Sequence, residues 1–155
     1  MTWVHPYTWE SNAWKRPTRL LEWAQELMHG LAPKSGMQKV DSMFAQLYVH
    51  RGSLLHHWDE DLLWGIGMSL GCAAQFDYLP EGGKSERVVI RSGDILVGKF
   101  GKMPHAVIVP TKDNEPPDWW KRVNYFGTKQ RCTVLFRGAP FGAFTPFGLG
   151  IKAAD

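Results

Sequence analysis

The apolar positions change period once along the chain. The change divides the chain into a helical stretch and a β-rich remainder. Over residues 17–29, Leu20, Leu21, Ala24, Leu27 and Met28 fall on one stripe at helical spacing. Pro17 suits a first-turn position, and Gly30 with Pro33 would stop the helix. A helix packed on a sheet accounts for such a stripe. From Met43 onward the pattern is that of strands. Residues 43–49 form one. Residues 64–79 form a long apolar run with internal glycines, read as a strand pair or one bulged strand. Glu81-Gly-Gly-Lys-Ser is a turn, and residues 87–90 and 94–98 flank a second turn at Ser92-Gly93-Asp94. Residues 105–109 and 131–137 are two further strands. Several short strands with regular turns predict a sandwich or a barrel.

The stretches between are less regular. Residues 1–16 carry Trp3, Trp9 and Trp14 among polar and proline positions, and read as an irregular, aromatic-rich arm. Residues 111–130 read as a polar, proline-containing loop around Trp119-Trp120. Residues 141–151, rich in glycine and phenylalanine, are expected to wrap the surface. No internal repeat and no linker interrupts the chain, and 155 residues fit one domain. The expected division is arm plus helix over 1–42, a β core over 43–138 and a tail over 139–155.

Composition narrows the class. At 44% apolar and 13% aromatic residues the chain can build a core, which excludes a disordered protein. A net charge of +3 permits a nucleic-acid partner without demanding one. The basic residues Lys15, Arg16, Arg19, Lys34 and Lys39 form only a loose series. Cys72 and Cys132 both fall in predicted strands. The opening Met-Thr-Trp-Val-His-Pro has neither the charged nor the apolar region of a signal peptide, so buried free thiols are expected. No apolar run approaches the ~20 residues a bilayer requires. The expectation is a soluble, intracellular protein without membrane contact.

Three groups of residues carry candidate chemistry. His57 and Asp59 lie two apart, and in extended backbone residues i and i+2 point to one side. One short segment then delivers an imidazole and a carboxylate to one point. His56 is adjacent, but only His57 has an acid at the second following position, so His56 would face the other way. His105, in Met103-Pro-His-Ala-Val, follows a turn and a strand and precedes the last strand. In that last strand Arg131, Thr133, Leu135 and Arg137 share one face, and Cys132, Val134 and Phe136 the other. If the second face packs on apolar layers, the first points into a polar cavity or into solvent. Two histidines and one aspartate can hold Fe(II) on one side and leave the other open. Paired arginines suit the carboxylates of a co-substrate.

His57-x-Asp59, His105 and Arg131-x5-Arg137, in that order, resemble the AlkB family of Fe(II)/2-oxoglutarate dioxygenases. The resemblance runs over residues 44–138, with Gln46-Leu-Tyr48 where the family has an Asn-x-Tyr strand and Asp61 at a family acidic position. Thr133 stands where the family often has asparagine. The resemblance implies a mainly β (α+β) fold, a double-stranded β-helix or jelly-roll core with one flanking N-terminal helix. It implies Fe(II) on His57, Asp59 and His105, with Arg137 acting near the metal on Asp59 and the proximal carboxylate. Tyr48 and Arg131 would hold the distal carboxylate of 2-oxoglutarate, with Gln46 and Thr133 beside them. Asp61 would touch the target base.

The activity so implied is oxidative demethylation of N-alkylated bases in DNA or RNA, consuming O2 and releasing formaldehyde, succinate and CO2. The base must be single-stranded or flipped out to be reached. Aromatic side chains are the natural stacking platform, with Trp3, Trp9 and Trp58 as candidates and the core as their alternative place. A monomer is expected. Fewer residues precede the core than the family's nucleotide-gripping lid needs, leaving the lid reduced, replaced by Trp119-Trp120, or lost. Two other readings stay open: a dioxygenase acting on a protein or small molecule, and a non-catalytic jelly-roll binding module.

Overall fold

The computed structural model of the chain describes residues 2–7, 18–31, 40, 42–48, 52–59, 64–110, 114–123 and 130–137. Among them are nine strands and two helices. One sheet holds five strands: β1 (Thr2–Tyr7), β2 (Ser42–Tyr48), β9 (Arg131–Arg137), β4 (Gly65–Gly71) and β7 (Ile95–Gly98), in that spatial order. The other holds four: β3 (Ser53–His57), β8 (His105–Ile108), β5 (Ala74–Tyr78) and β6 (Glu86–Ile90). Every pairing in both sheets is antiparallel. The chain crosses repeatedly from sheet to sheet, which is the double-stranded β-helix, or jelly-roll, that was expected.

Two apolar clusters follow from the alternation of side chains along these strands. On the outer face of the five-stranded sheet, Ile66 and Phe136 meet Leu21, Ala24 and Met28 of helix α1 (Thr18–Leu31). Full burial of a side chain such as Met28 contributes ~1.5–3 kcal/mol. Between the sheets lie Tyr48, Cys72, Ala74, Phe76, Ile90, Phe100, Val107 and Val109. On β9 the sorting is complete: Phe136 and Val134 pack toward α1, while Arg131, Thr133, Leu135 and Arg137 face the space between the sheets.

Several expectations need correction. The start of the chain is not irregular: β1 pairs with β2, Trp3 opposite Leu47. Alternation there was masked by proline and by aromatic residues. The helix runs through Gly30 to Leu31, and Leu20 is exposed, so the buried stripe is narrower than predicted. The run 64–79 is two strands, but they do not pair with each other. The chain turns at Cys72-Ala73, sending β4 into one sheet and β5 into the other. Cys72 is therefore in a corner rather than a strand, while Cys132 is on β9. Neither is in a disulfide, and burial raises the thiol pKa of Cys132 to about 11. β6 and β7 likewise flank their turn yet join opposite sheets. The loop 111–130 contains helix α2 (Asp118–Val123). Residues 141–151 lie outside the described residues. Among the described residues no helix is long and apolar enough to cross a membrane.

Candidate metal centre

Register places the site. β3, β8 and β9 converge at one end of the space between the sheets, and His57 lies opposite His105 across the β3–β8 pair. Directly opposed residues of an antiparallel pair point to the same face. Their rings accordingly meet, with centroids 4.3 Å apart. Asp59 follows β3 by two residues, and its backbone N–H donates to the Phe100 carbonyl at 3.1 Å. One ligand atom from each of His57, Asp59 and His105 lies within 4.8 Å of the others. Among the described residues this is the group so arranged for a metal ion.

The donor set fits a divalent first-row ion. The His57 Nδ1–H donates to the Leu55 carbonyl at 2.7 Å, and the His105 Nδ1–H to the Met103 carbonyl at 2.9 Å. A carbonyl only accepts, so each Nδ1 carries the hydrogen, which leaves each Nε2 as the nitrogen that can ligate. Burial lowers the His105 pKa, against the raising effect of its hydrogen bond to Met103. Burial thus favours the neutral ring, the form that binds a metal. Asp59 Oδ1 sits 3.7 Å from His57 Nε2, and Oδ2 sits 3.3 Å from Arg137 Nη2. Two nitrogen donors and one carboxylate on one side suit Fe(II).

These residues line one end of a cavity of about 290 Å³. The rest of its wall is Gln46, Tyr48, Leu54, Gly67, Ser69, Phe76, Ile90, Leu96, Phe100, Val107, Arg131, Thr133 and Leu135. Arg131 lies six residues from Arg137, roughly 20 Å along an extended strand. It is 0% exposed. Register sets it beside Tyr48 on one side and Gly71 on the other. Its Nη1 donates to the Cys72 carbonyl at 3.0 Å and its Nη2 to Ser69 Oγ at 2.6 Å. Two of the five guanidinium hydrogens are thus used, and the buried Nε has no hydrogen-bond partner. Such a group costs free energy unless something accepts from it. Burial lowers the Arg131 pKa, an effect that Tyr48 opposes. The Tyr48 hydroxyl donates to Gln46 Oε1 at 3.1 Å. Burial raises it to about 12, outweighing the opposite pull of Arg131. It is a donor at any ordinary pH.

The structure thus brings together His57, Asp59, His105, Arg137, Arg131, Tyr48, Gln46 and Thr133. Trp58 is 55% exposed, turned away from the cavity that its two neighbours line. Trp3 is described only as backbone on β1. Asp61 and Trp9 lie outside the described residues. Trp120 packs against Gly71, beside Arg131 and at the opposite end from the metal ligands. Trp119-Trp120 therefore does not stand over the metal end. Sequence reasoning missed Ser69, whose place opposite Thr133 exists only through the β4–β9 register. It also missed Phe76 and Phe100, whose rings flank His105 at 5.6 and 5.2 Å.

No protein-family model and no curated protein sequence matches the chain. Solved structures do. The chain superposes on OsALKBH1, an AlkB homologue, with a TM-score of 0.60 at 18% identity, covering 88% of this chain and 77% of that one. An oxalate oxidase bound to the substrate analogue glycolate gives 0.46 at 20% identity, over 64% of this chain and 43% of that one. The CENP-C cupin domain of Drosophila melanogaster gives 0.43 at 8% identity, over 63% of this chain and 59% of that one. The likeness to OsALKBH1 shows an AlkB-like fold.

Proposed function

We propose that the chain is an Fe(II)/2-oxoglutarate-dependent dioxygenase that demethylates N-alkylated bases in DNA or RNA. The observation that carries this reading is a single cavity with two polar ends. At one end the ligand atoms of His57, Asp59 and His105 lie within 4.8 Å of one another. At the other a buried guanidinium keeps a donor without a partner. A dicarboxylate is the ligand that such a cavity suits.

Each residue then has a task. His57, Asp59 and His105 hold the iron. The carbonyls of Leu55 and Met103 fix both imidazoles in the ligating tautomer. Arg137 holds Asp59 in its orientation and stands ready for the near carboxylate of the co-substrate. Arg131 donates to the far carboxylate through its unpartnered Nε, and Tyr48 does so by turning its single hydroxyl hydrogen from Gln46 Oε1 to the ligand, with Thr133 on the wall beside them. Leu54, Leu96, Leu135 and Val107 keep water from the path between the two ends. Fe(II) held by these three residues would supply the oxidising chemistry: 2-oxoglutarate and O2 would give succinate and CO2, with the second oxygen atom going to an N-methyl carbon that would leave as formaldehyde.

A nucleic-acid substrate is supported by the resemblance of the motifs, by the AlkB-like fold and by the basic excess of the chain. The test is 2-oxoglutarate turnover with Fe(II), with and without methylated oligonucleotides, while formaldehyde is followed. Formaldehyde in step with succinate supports the reading. Turnover that no oligonucleotide stimulates would move the substrate to proteins or small molecules. Absence of iron binding would leave a binding module.

A further inference from the structure

At the metal end one ring stands between the two sheets. Gly65 of β4 pairs with Arg137 on one side and with Gly98 of β7 on the other. The row that begins at Arg137 therefore crosses two strands without a side chain. Both glycines are on the face turned to the space between the sheets, because Gly67 and Leu96, two residues away on the same strands, line the cavity. The Phe100 ring fills the bay they leave. A Cβ built at Gly65 would lie 3.0 Å from Phe100 Cδ2, and one at Gly98 would lie 3.4 Å from Cε1. On the side of the four-stranded sheet, the ring is 5.2 Å from that of His105 and 6.4 Å from that of Phe76, to which it is nearly perpendicular at 83°. Phe100 is buried and lines the cavity, and neither glycine does. The loop that carries it also holds two of the candidate ligands. The Phe100 carbonyl accepts from the Asp59 N–H, and the Met103 carbonyl from His105 Nδ1–H.

We infer that Phe100 is the side wall of the metal end, and that the paired glycines set how far this wall stands back and so how wide a group is admitted beside the metal. This rests on the reading of His57, Asp59 and His105 as metal ligands, and not on the identity of the substrate. An aromatic ring laid over strand glycines is a familiar packing device. Packing alone could be met by side chains at 65 and 98 themselves. A ring supplied by the loop is instead held in register with Asp59 and His105, and its position depends on what lies beneath it. The interior is close-packed, so a displacement of a few tenths of an ångström at the base is passed to the cavity face. A methyl group at Gly65 meets the ring edge too closely and drives it toward His105. A methyl group at Gly98 meets it at ordinary contact distance and leaves it in place. Truncating the ring opens the metal end toward β7.

The test loads the full chain with Co(II) under nitrogen and titrates it with ethanethiol and with 2-methyl-2-propanethiol. Both ligate through sulfur with the same charge, and they differ in width. The sulfur-to-cobalt charge-transfer band reports binding, so no turnover enters the result. The ratio of the two dissociation constants, bulky over slim, is compared with that of the wild type, which cancels the intrinsic difference between the thiols. Phe100→Ala should lower the ratio about tenfold, the usual worth of a methylene-sized change in a closed pocket. Gly65→Ala should raise it about threefold, and Gly98→Ala should leave it within about twofold, since only the first overpacks the ring. Co(II) affinity in the same samples reports an intact ligand set. If Phe100→Ala does not hold Co(II), Phe100→Leu replaces it with the same direction expected. A merely structural ring would lower the urea midpoints of the Phe100 and Gly65 variants and leave the ratio alone. That result overturns the wall, as does a ratio that both variants move in one direction. A wild type that holds no Co(II) removes the metal reading and the wall together. The dioxygenase reading fails separately: opposite shifts of the ratio without succinate or formaldehyde from any substrate keep the wall and remove the reaction. Succinate in step with formaldehyde, beside an unmoved ratio, does the reverse.

Discussion

Arg137 Nη2 lies 3.3 Å from Asp59 Oδ2, so the last residue of β9 is tied to the one acidic member of the candidate metal set. The guanidinium fixes which carboxylate oxygen is turned toward the imidazoles. Removing it should leave Asp59 free to rotate. Arg137→Ala is therefore expected to weaken Fe(II) binding by about 10–100-fold, the usual effect of losing the partner of a ligating group. Arg137→Lys should recover part of the loss, since it restores charge without the fork. Anaerobic titration with Fe(II) measures this. Affinity equal to wild type in the alanine variant would show that Asp59 is oriented by something else. His105→Ala removes a ligand itself and should lose iron more completely.

Asn114 acts at the other end of the cavity. Its Oδ1 accepts from the Ala73 N–H at 2.9 Å, and its Nδ2 donates to the Ala73 carbonyl at 2.7 Å. It thus pairs with the corner at residues 72–73 as a neighbouring strand would. That corner offers the Cys72 carbonyl to Arg131. Asn114→Ala should loosen the corner and let the guanidinium drift. The expected result is a rise in the KM for 2-oxoglutarate of about tenfold, the worth of one charge-assisted hydrogen bond, with kcat and Fe(II) affinity near wild type. Equal losses in all three would mark a general fault in folding.

Tyr48 gives a pH dependence whose sign can be worked out. Its hydroxyl titrates at 10.0 in the unfolded chain and at about 12 when buried in the fold. Below pH 10 both states keep the proton, and the contribution to stability is complete. Between pH 10 and 12 only the unfolded state loses it, so stability falls as pH rises. A hundredfold difference in proton affinity is ~3 kcal/mol. Urea denaturation from pH 9 to 12 should show stability falling more steeply in wild type than in Tyr48→Phe above pH 10. Cys132, also raised by burial, contributes to both proteins alike, so the comparison isolates the phenol. Parallel curves would show that Tyr48 reaches solvent.

How much of this was legible in the sequence depends on the range of the forces involved. Period-two alternation on β9 correctly sorted Arg131 and Arg137 from Val134 and Phe136, because one residue of slip would exchange the faces. The spacing of His57 and Asp59 gave a shared direction for the same reason. What the sequence left hidden was pairing at long range. Nothing local distinguishes β4 and β5 as partners from β4 and β5 in opposite sheets. The choice is made by the corner at Gly71–Ala73 and by Asn114, some forty residues later. The pairing of Gly65 with Gly98 is hidden in the same way, since it exists only through the β4–β7 register. β1 was missed because one of its strand positions is a proline.

Gly71 makes that corner possible, and its replacement should show how tightly the corner is built. Its φ is +88°, in the left-handed region that L side chains avoid. A Cβ there would lie 2.5 Å from the Gln130 carbonyl oxygen and 2.8 Å from the Trp120 ring. Gly82 is the internal control, with φ +71° and nothing within 4 Å of a built Cβ. Gly82→Ala should cost only the backbone penalty, about 1–2 kcal/mol. Gly71→Ala carries that penalty and a collision with backbone, so it should cost about 1–3 kcal/mol more. Urea midpoints at unchanged slope measure both. The excess should be accompanied by weaker 2-oxoglutarate binding, because Gly71 is opposite Arg131 in the β4–β9 register. Equal costs at the two glycines would mean that Trp120 yields freely and that α2 does not brace the deep end of the cavity.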